Sequence, residues 1–444
     1  VSPPIAPVSE AVTEPIPVLT ERPRWRDTFV ALKAYNYRLY LIAQLFANTG
    51  GWMARVAIDW LVLELTGDVA LVGLTVALQF APTLVFGPWA GVISDRAPRR
   101  VVLLITQSVG TIAYGVLATL VLTGQVQAWQ VLLTAAVTGT SMAIDGPSRS
   151  AFVSEMVGTH RLRGAISLNA TVFHLGGLIG PAISGVLIVA IGSGWSIAVN
   201  AGTSAVAVLA LALMRARELV PVFKQQRSRG QIREAVRYAI GKPTILWPIL
   251  LLAFVAVFGM NLPVLLAAAA DDTFGTGAAG YGLYNSLAAL GAFVGAVLSS
   301  RRRALRLRDI VLFAGLYGAV TVFAGASGWY PGFLVALVGI GVSRLLFATG
   351  AESMTQLSTN PGIRGRVMSL YLMVVTGGQA AGGVIIGGIA SSFGPSWAFI
   401  VAGGAPALAA LVVAVVLARR RELRLRVDFR RPRQLVRIVP RLAA

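Results

Sequence analysis

From about residue 38 the chain alternates long apolar runs with short polar connections. Twelve runs of roughly 20 residues stand out, the length that crosses a hydrocarbon core. They cover 38–64, 71–93, 101–123, 128–151, 165–190, 194–214, 245–268, 281–299, 309–326, 331–355, 367–391 and 395–418. None alternates at the period of two that a lipid-facing barrel strand requires. In lipid each backbone polar group must be satisfied within its own segment, which a helix does. The pattern therefore predicts an all-α membrane protein with twelve transmembrane helices.

Composition narrows the chemistry. Of 444 residues 56% are hydrophobic and 13% charged, against roughly 25% charged in soluble domains. An ordinary soluble enzyme is excluded. Cysteine is absent and histidine occurs twice. Disulfides, thiolate zinc, iron–sulfur ligation and histidine-rich metal sites fall away with them, and neither metal nor cofactor is expected. Gly241-Lys242 is followed by Pro243 with no phosphate-loop glycine at the required distance, which argues against an ATP-driven pump. There is no nucleophile elbow and no catalytic loop between helices, which argues against a membrane-embedded enzyme.

The net charge of +20 would suggest nucleic acid in a soluble protein, but its placement argues otherwise. Thirty-six of the 38 Lys and Arg lie in the two termini and in alternate connections, and the opposite connections have none. By the positive-inside rule both termini are cytoplasmic and the number of spans is even. Residues 1–37 read as a Pro-rich disordered tail and a basic arm, with no cleaved signal peptide. Residues 38–214 read as a six-helix bundle, 215–244 as a cytoplasmic linker, 245–418 as a second six-helix bundle, and 419–444 as a basic cytoplasmic tail that anchors topology. The halves repeat: Arg163-Gly164 and Arg364-Gly365 open runs five and eleven, and Gly176-Gly177 and Gly180 match Gly377-Gly378 and Gly382. A parallel repeat of this kind places a substrate site between the halves near the midplane.

The remaining Arg55 and Arg344 fall inside spans, where an ionisable group is costly and is a functional candidate by default. Gln44, Asn48, Trp52, Arg55 and Asp59 recur at three- and four-residue spacing on one face of the first span. Thr134, Thr138, Ser141, Asp145 and Ser148 do so in the fourth, and Arg344, Ala348 and Glu352 in the tenth. Arg55 and Asp59 are spaced to pair at i, i+4.

The connection Gly91-Val-Ile-Ser-Asp95-Arg96-Ala-Pro98-Arg99-Arg100 resembles the signature loop of the major facilitator superfamily, with Pro98 where that family has Gly. Asp95 is placed to cap the third helix. The resemblance implies that this loop, with Arg149 nearby, latches the halves against helix eleven on the cytoplasmic side. Gly176, Gly180, Pro181, Ser184 and Gly185 resemble the helix-five motif of proton-coupled drug antiporters, with Ser184 replacing a Gly. Small residues at this spacing also make a plain packing face. Stretches from Trp52 to Gly67, at Gly146-Pro147-Ser148-Arg149, at Ser167-Leu168-Asn169 and from Gln356 to Leu370 are similar to the siderophore and macrolide exporters, the transmembrane secretion effector branch.

The resemblance implies two pseudo-symmetric six-helix bundles with a cavity lined by spans one, four, seven and ten. It also implies export of hydrophobic or amphipathic small molecules, drug, siderophore or secondary metabolite, by proton antiport. Arg outnumbers Lys 35 to 3, which points to a high-GC bacterial genome and so to a bacterial inner membrane, and a monomer is expected. A solute importer or uniporter and a non-transporting sensor have the same fold. Such an antiporter needs a carboxylate whose proton affinity burial raises. Asp59 is the first candidate, beside Arg55 and Arg344, then Glu352, then Asp145. For Asp59 a structural ion pair with Arg55 or Arg344 is the competing reading, and for Asp145 a gating network with Arg149 and Asp95. Gln44, Asn48, Trp52, Thr138, Ser141, Asn261, Tyr284, Tyr371 and Gln379 are candidates to line the substrate cavity, with Tyr281 and Phe80 among their aromatic neighbours.

Overall fold

A computed structural model describes residues 16–17, 29–158, 161–219, 231–302, 304–360, 363–420, 423–427 and 436–440. Among the described residues twelve long helical segments form two six-helix bundles. The first bundle comprises α1 (Tyr35–Thr66), α2 (Val69–Arg96), α3 (Arg99–Leu122), α4 (Ala128–Val157), α5 (Leu162–Ile191) and α6 (Ser193–Leu213). The second comprises α7 (Pro243–Thr273), α8 (Gly277–Ser300), α9 (Leu307–Ala326), α10 (Tyr330–Leu357), α11 (Arg364–Phe393) and α12 (Pro395–Arg420). Among the described residues ten helices are long and apolar enough to cross a membrane. The other two, α1 and α4, carry the polar stripes described above, and these lower their mean hydropathy.

The helix ends follow from local chemistry. A single glycine separates α5 from α6 and another separates α11 from α12: Gly192 at φ +90° and Gly394 at φ +87°. Only a residue without Cβ takes that turn freely. These two glycines lie 202 residues apart, so the turn belongs to the repeat.

α7 is not one regular helix. π-helical turns at Val255–Gly259 and Ala269–Thr273 flank a short α-helix, Leu262–Ala268. Pro263 has no N–H to give to the carbonyl of Gly259, four residues earlier. The hydroxyl of Tyr317 on α9 takes that carbonyl instead, at 2.5 Å. The Asn261 amide donates to Val257 O at 3.1 Å, so the freed carbonyls of the break are satisfied inside the protein.

Within the first bundle α1 packs on α5 and α6, α2 on α4, and α3 on α4 and α6; within the second α8 packs on α10, and α9 on α10 and α12. The bundles meet where α2 packs on α11 and α5 on α8. Glycine sets both junctions. A Cβ at Gly185 of α5 would lie 2.8 Å from Gly282 Cα of α8, and one at Gly387 of α11 would lie 3.0 Å from Gly73 Cα of α2. The helices touch backbone to backbone, as small residues allow. All four glycines lie in the half of the molecule away from the start of α1, here called the far end; the other is the terminal end.

Some expectations need correction. The 215–244 segment contains a helix, Gln231–Ile240, whose Glu234 pairs with Arg366 of α11. α1 begins three residues before position 38. Ile16–Pro17 (β1) pairs with Ala304–Leu305 (β2), and Leu423–Val427 (β3) pairs with Val436–Pro440 (β4), so parts of both tails have structure. The rest of the tail expected to be disordered, up to residue 28, lies outside the described residues.

Candidate functional site

Asp59 lies on α1 toward the far end and is 2% exposed. Its Oδ2 accepts the hydroxyl of Tyr281 of α8 at 3.1 Å, so a buried carboxylate on one bundle is tied to the other. Its Oδ1 is buried with no hydrogen-bond partner. The Tyr281 ring is fully buried and stacks on Trp60, centroids 6.0 Å apart.

The competing reading of an Arg55–Asp59 ion pair finds no support: among the described residues the two form none. The Arg55 guanidinium lies 4.9 Å from the Trp52 ring centroid and 5.6 Å from that of Phe80, and Nη2 reaches Met142 Sδ at 3.6 Å. Side chains on a helix lean toward its N-terminus, so Arg55 bends back over Trp52, one turn earlier. A basic residue preceding an acidic one at i, i+4 is also the weaker order. Trp52 meets Phe173 of α5 edge-on at 5.7 Å, which makes an aromatic wall beside the cation. Asp59 is equally unpaired with Arg344: among the described residues its polar partner is Tyr281.

Asp145 lies in a different setting. It binds Arg149 Nε at 2.6 Å, Thr106 Oγ1 at 3.1 Å and Gln107 Nε2 at 3.0 Å. Gln44 borders one small void with Arg149, Tyr40 and Gln107, and its amide donates to Asn48 Oδ1 at 3.4 Å. Removing one partner of an enclosed ion pair leaves the other charge uncompensated, typically at about 3–5 kcal/mol. Asp145→Asn is expected to lower the thermal unfolding temperature of the detergent-purified protein more than Asp59→Asn does. Equal effects in the two variants would contradict this structural assignment.

The signature loop differs from the sequence expectation in one respect. α2 runs on through Arg96, so Asp95 is inside a helix, and the N-cap of α3 is Pro98, with no side-chain cap. The side chains of Asp95 and Arg96 lie outside the described residues, and Gly91 is described by its backbone alone. Arg99 pairs with Glu155 of α4 at 2.5 Å. Arg100 donates to the carbonyls of Leu211 and Ala212, at 2.8 and 2.7 Å, at the end of α6. Both arginines are thus held within their own bundle and not by α11.

The helix-five motif has a clear local role. A Cβ at Gly176 would meet Asn48 at 3.0 Å, and one at Gly180 would meet Thr49 O at 2.7 Å. Ser184, the departure from the motif, donates to Met53 O at 2.9 Å. Gly176, Gly180 and Ser184 therefore form one face against α1, while Gly185 faces α8. Pro181 lies within α5 between them. The repeat copies the arrangement: Gly378 packs on Ala256, and Gly382 on Val257 and Asn261, both of α7.

The cavity candidates divide. Asn48, Trp52, Thr138, Ser141 and Gln379 are half-buried. Tyr371 donates to Ala348 O of α10 at 3.3 Å and faces Glu352, whose side chain is exposed. Tyr284 is corrected: it is fully buried among Phe274, Tyr330 and Phe333, because its apolar ring completes an aromatic cluster and its hydroxyl shares a hydrogen bond with that of Thr276 at 2.9 Å. Asn261 is likewise fully buried in the break of α7, and its Oδ1 has no hydrogen-bond partner there. The Asp59–Tyr281 bond was not legible as a pair. The two residues are 222 positions apart, and the intramembrane position of Asp59 was the only signal.

A family model described as transmembrane secretion effector matches residues 27–436. The enterobactin exporter EntS of Salmonella typhimurium is 25% identical over 410 residues, spanning 91% of this chain and 97% of that protein. Its counterpart in Shigella boydii serotype 4 is 23% identical over 414 residues, spanning 92% and 96%. Among solved structures, the D-xylose–proton symporter superposes with a TM-score of 0.67 at 15% identity, covering 85% of this chain and 97% of that one. The nucleoside transporter NupG gives 0.64 at 13% identity, covering 86% and 99%. The structural likenesses establish the major facilitator fold, and the family match extends over almost the whole chain. This multi-pass membrane protein is a transporter, not an enzyme, and it belongs to the transmembrane secretion effector family.

Proposed function

We propose that the chain exports hydrophobic or amphipathic small molecules from the cytoplasm of a bacterium, across its inner membrane, by proton antiport with alternating access. The observation that carries the reading is the buried Asp59, half-satisfied and tied across the bundle interface to Tyr281. The relatives are named exporters of a siderophore, and the helix-five motif resembles that of drug antiporters. The distribution of basic residues puts the termini, and so the terminal end, in the cytoplasm. In this reading the far end is the outer side, and the glycine junctions are the contacts that must part for it to open.

In this account residues 38–214 and 245–418 are the two bodies that rock, as a monomer, with 215–244 as their tether. Opening the outer side separates Gly185 from Gly282 and Tyr281 from Asp59. The carboxylate, freed of its donor and now facing water, takes a proton from outside; closing returns it to the interior, where the proton leaves inward before substrate binds. A ligand without a preference between the two states moves nothing, so the proton must act through a bond that one state has and the other lacks. The Asp59–Tyr281 bond meets that requirement.

The test uses proteoliposomes loaded with lipophilic dyes, drugs and a siderophore, with and without an imposed pH gradient. Gradient-driven movement of at least one substrate against its concentration is the expected result. Movement independent of the gradient would make the protein a facilitator, and no movement of any probe would favour a sensor.

A further inference from the structure

Arg344 lies at the middle of α10, half-buried within the second bundle. Among the described residues no carboxylate is within ion-pair distance of it. Tyr317 is the ionisable group that faces it, and the Tyr317 hydroxyl is already committed to Gly259 O. Glu352, on the same stripe, is eight residues on, about 12 Å along the axis. Asp59 is occupied by Tyr281 of the far-end junction. The other cations in the spans differ: Arg149 has Asp145, and Arg55 has two ring faces and a sulfur.

A guanidinium does not shed its proton to escape a low-dielectric site, and an unpaired charge there is costly. Among the described residues nothing supplies the counter-charge to Arg344. We infer that Arg344 receives an anionic group of the transported molecule, so that the substrate is an amphipathic organic anion. The planar fork of donors suits a planar oxyanion held by two bonds, such as a carboxylate. This inference deepens the export reading and rests on it.

The test compares three probes of one shape: 2-naphthoate, its methyl ester, and 2-naphthylmethylamine. Binding is measured on the purified full chain in detergent, where no gradient is needed. The wild type is expected to bind naphthoate at least about tenfold more tightly than the other two, about 1.4 kcal/mol. Arg344→Gln is expected to lose that preference and leave ester binding unchanged. Arg344→Lys, which keeps the charge but not the fork, is expected to retain part of it. Thermal unfolding of each variant separates lost recognition from lost folding, and Arg344→Lys serves if Arg344→Gln does not fold.

No preference for naphthoate in the wild type, or equal naphthoate binding by wild type and Arg344→Gln, would overturn the proposal. So would recovery of transport when Arg344→Glu is combined with Glu352→Arg, since the arginine's partner would then be within the chain. In proteoliposomes, gradient-driven movement of the ester or amine without the anion would sink this inference and leave antiport standing. Anion preference in detergent without any gradient effect would do the reverse.

Discussion

Gly185→Leu is expected to arrest transport while leaving the chain folded in the membrane. A Cβ at this position already falls 2.8 Å from Gly282 Cα, and the rest of a leucine has nowhere to go unless α5 and α8 separate. Overpacking of this kind costs about 1–3 kcal/mol, which shifts the ratio of closed to open far end by up to about a hundredfold. Helix packing within each bundle is untouched, since Gly176, Gly180 and Ser184 still seat α5 on α1. The chain has no native cysteine, so one reporter thiol reads the state cleanly. Ser286→Cys, one turn from Gly282 on α8, is expected to react with a membrane-impermeant thiol reagent from outside at least tenfold faster in the Gly185→Leu background. An unchanged rate would show that this junction is not the gate. The repeat makes the same demand of Gly73 and Gly387, the equivalent contact between α2 and α11.

Asp59→Asn is expected to abolish proton-driven accumulation and to spare exchange of substrate across the membrane. The substitution is nearly isosteric, and the amide oxygen still accepts the Tyr281 hydroxyl, so the junction closes. What disappears is the group that binds a proton in one state and releases it in the other. Accumulation should fall to the level seen without a gradient, whereas equilibrium exchange, which needs only alternating access, continues. Tyr281→Phe provides a companion: it keeps the carboxylate and removes the bond, so it should weaken the coupling of proton to substrate without removing proton binding.

Much of this architecture is written in the sequence, because a bilayer leaves few options for the backbone. The spans, the two-fold repeat and the glycine motif of α5 all follow from residue type and spacing. Ser184 illustrates how far that goes: its place in the motif was legible, but its bond to Met53 O depends on a neighbouring helix that spacing does not locate. Helix register alone suggested that Arg55 would pair with Asp59. The pair fails because side-chain lean and two aromatic rings, one of them on α2, offer the guanidinium a better place. Tyr284 was misplaced for a related reason, since a tyrosine in a span fits a cavity wall and an aromatic core equally well until its neighbours are known. The breaks in α7 were missed although Pro263 and Asn261 signal them, because a mean over an apolar run hides a local interruption.

The central claim, that Asp59 couples a proton to substrate movement in the opposite direction, is tested most directly by recording both fluxes at once. Proteoliposomes containing a pH-sensitive dye and a transported probe would be followed after a substrate gradient is imposed, for wild type and Asp59→Asn. The account predicts proton movement opposite to the substrate in the wild type, and substrate exchange without proton movement in the variant. Proton movement of equal size in both proteins would contradict it and place coupling at another carboxylate. Protons moving in the same direction as the substrate would contradict antiport itself.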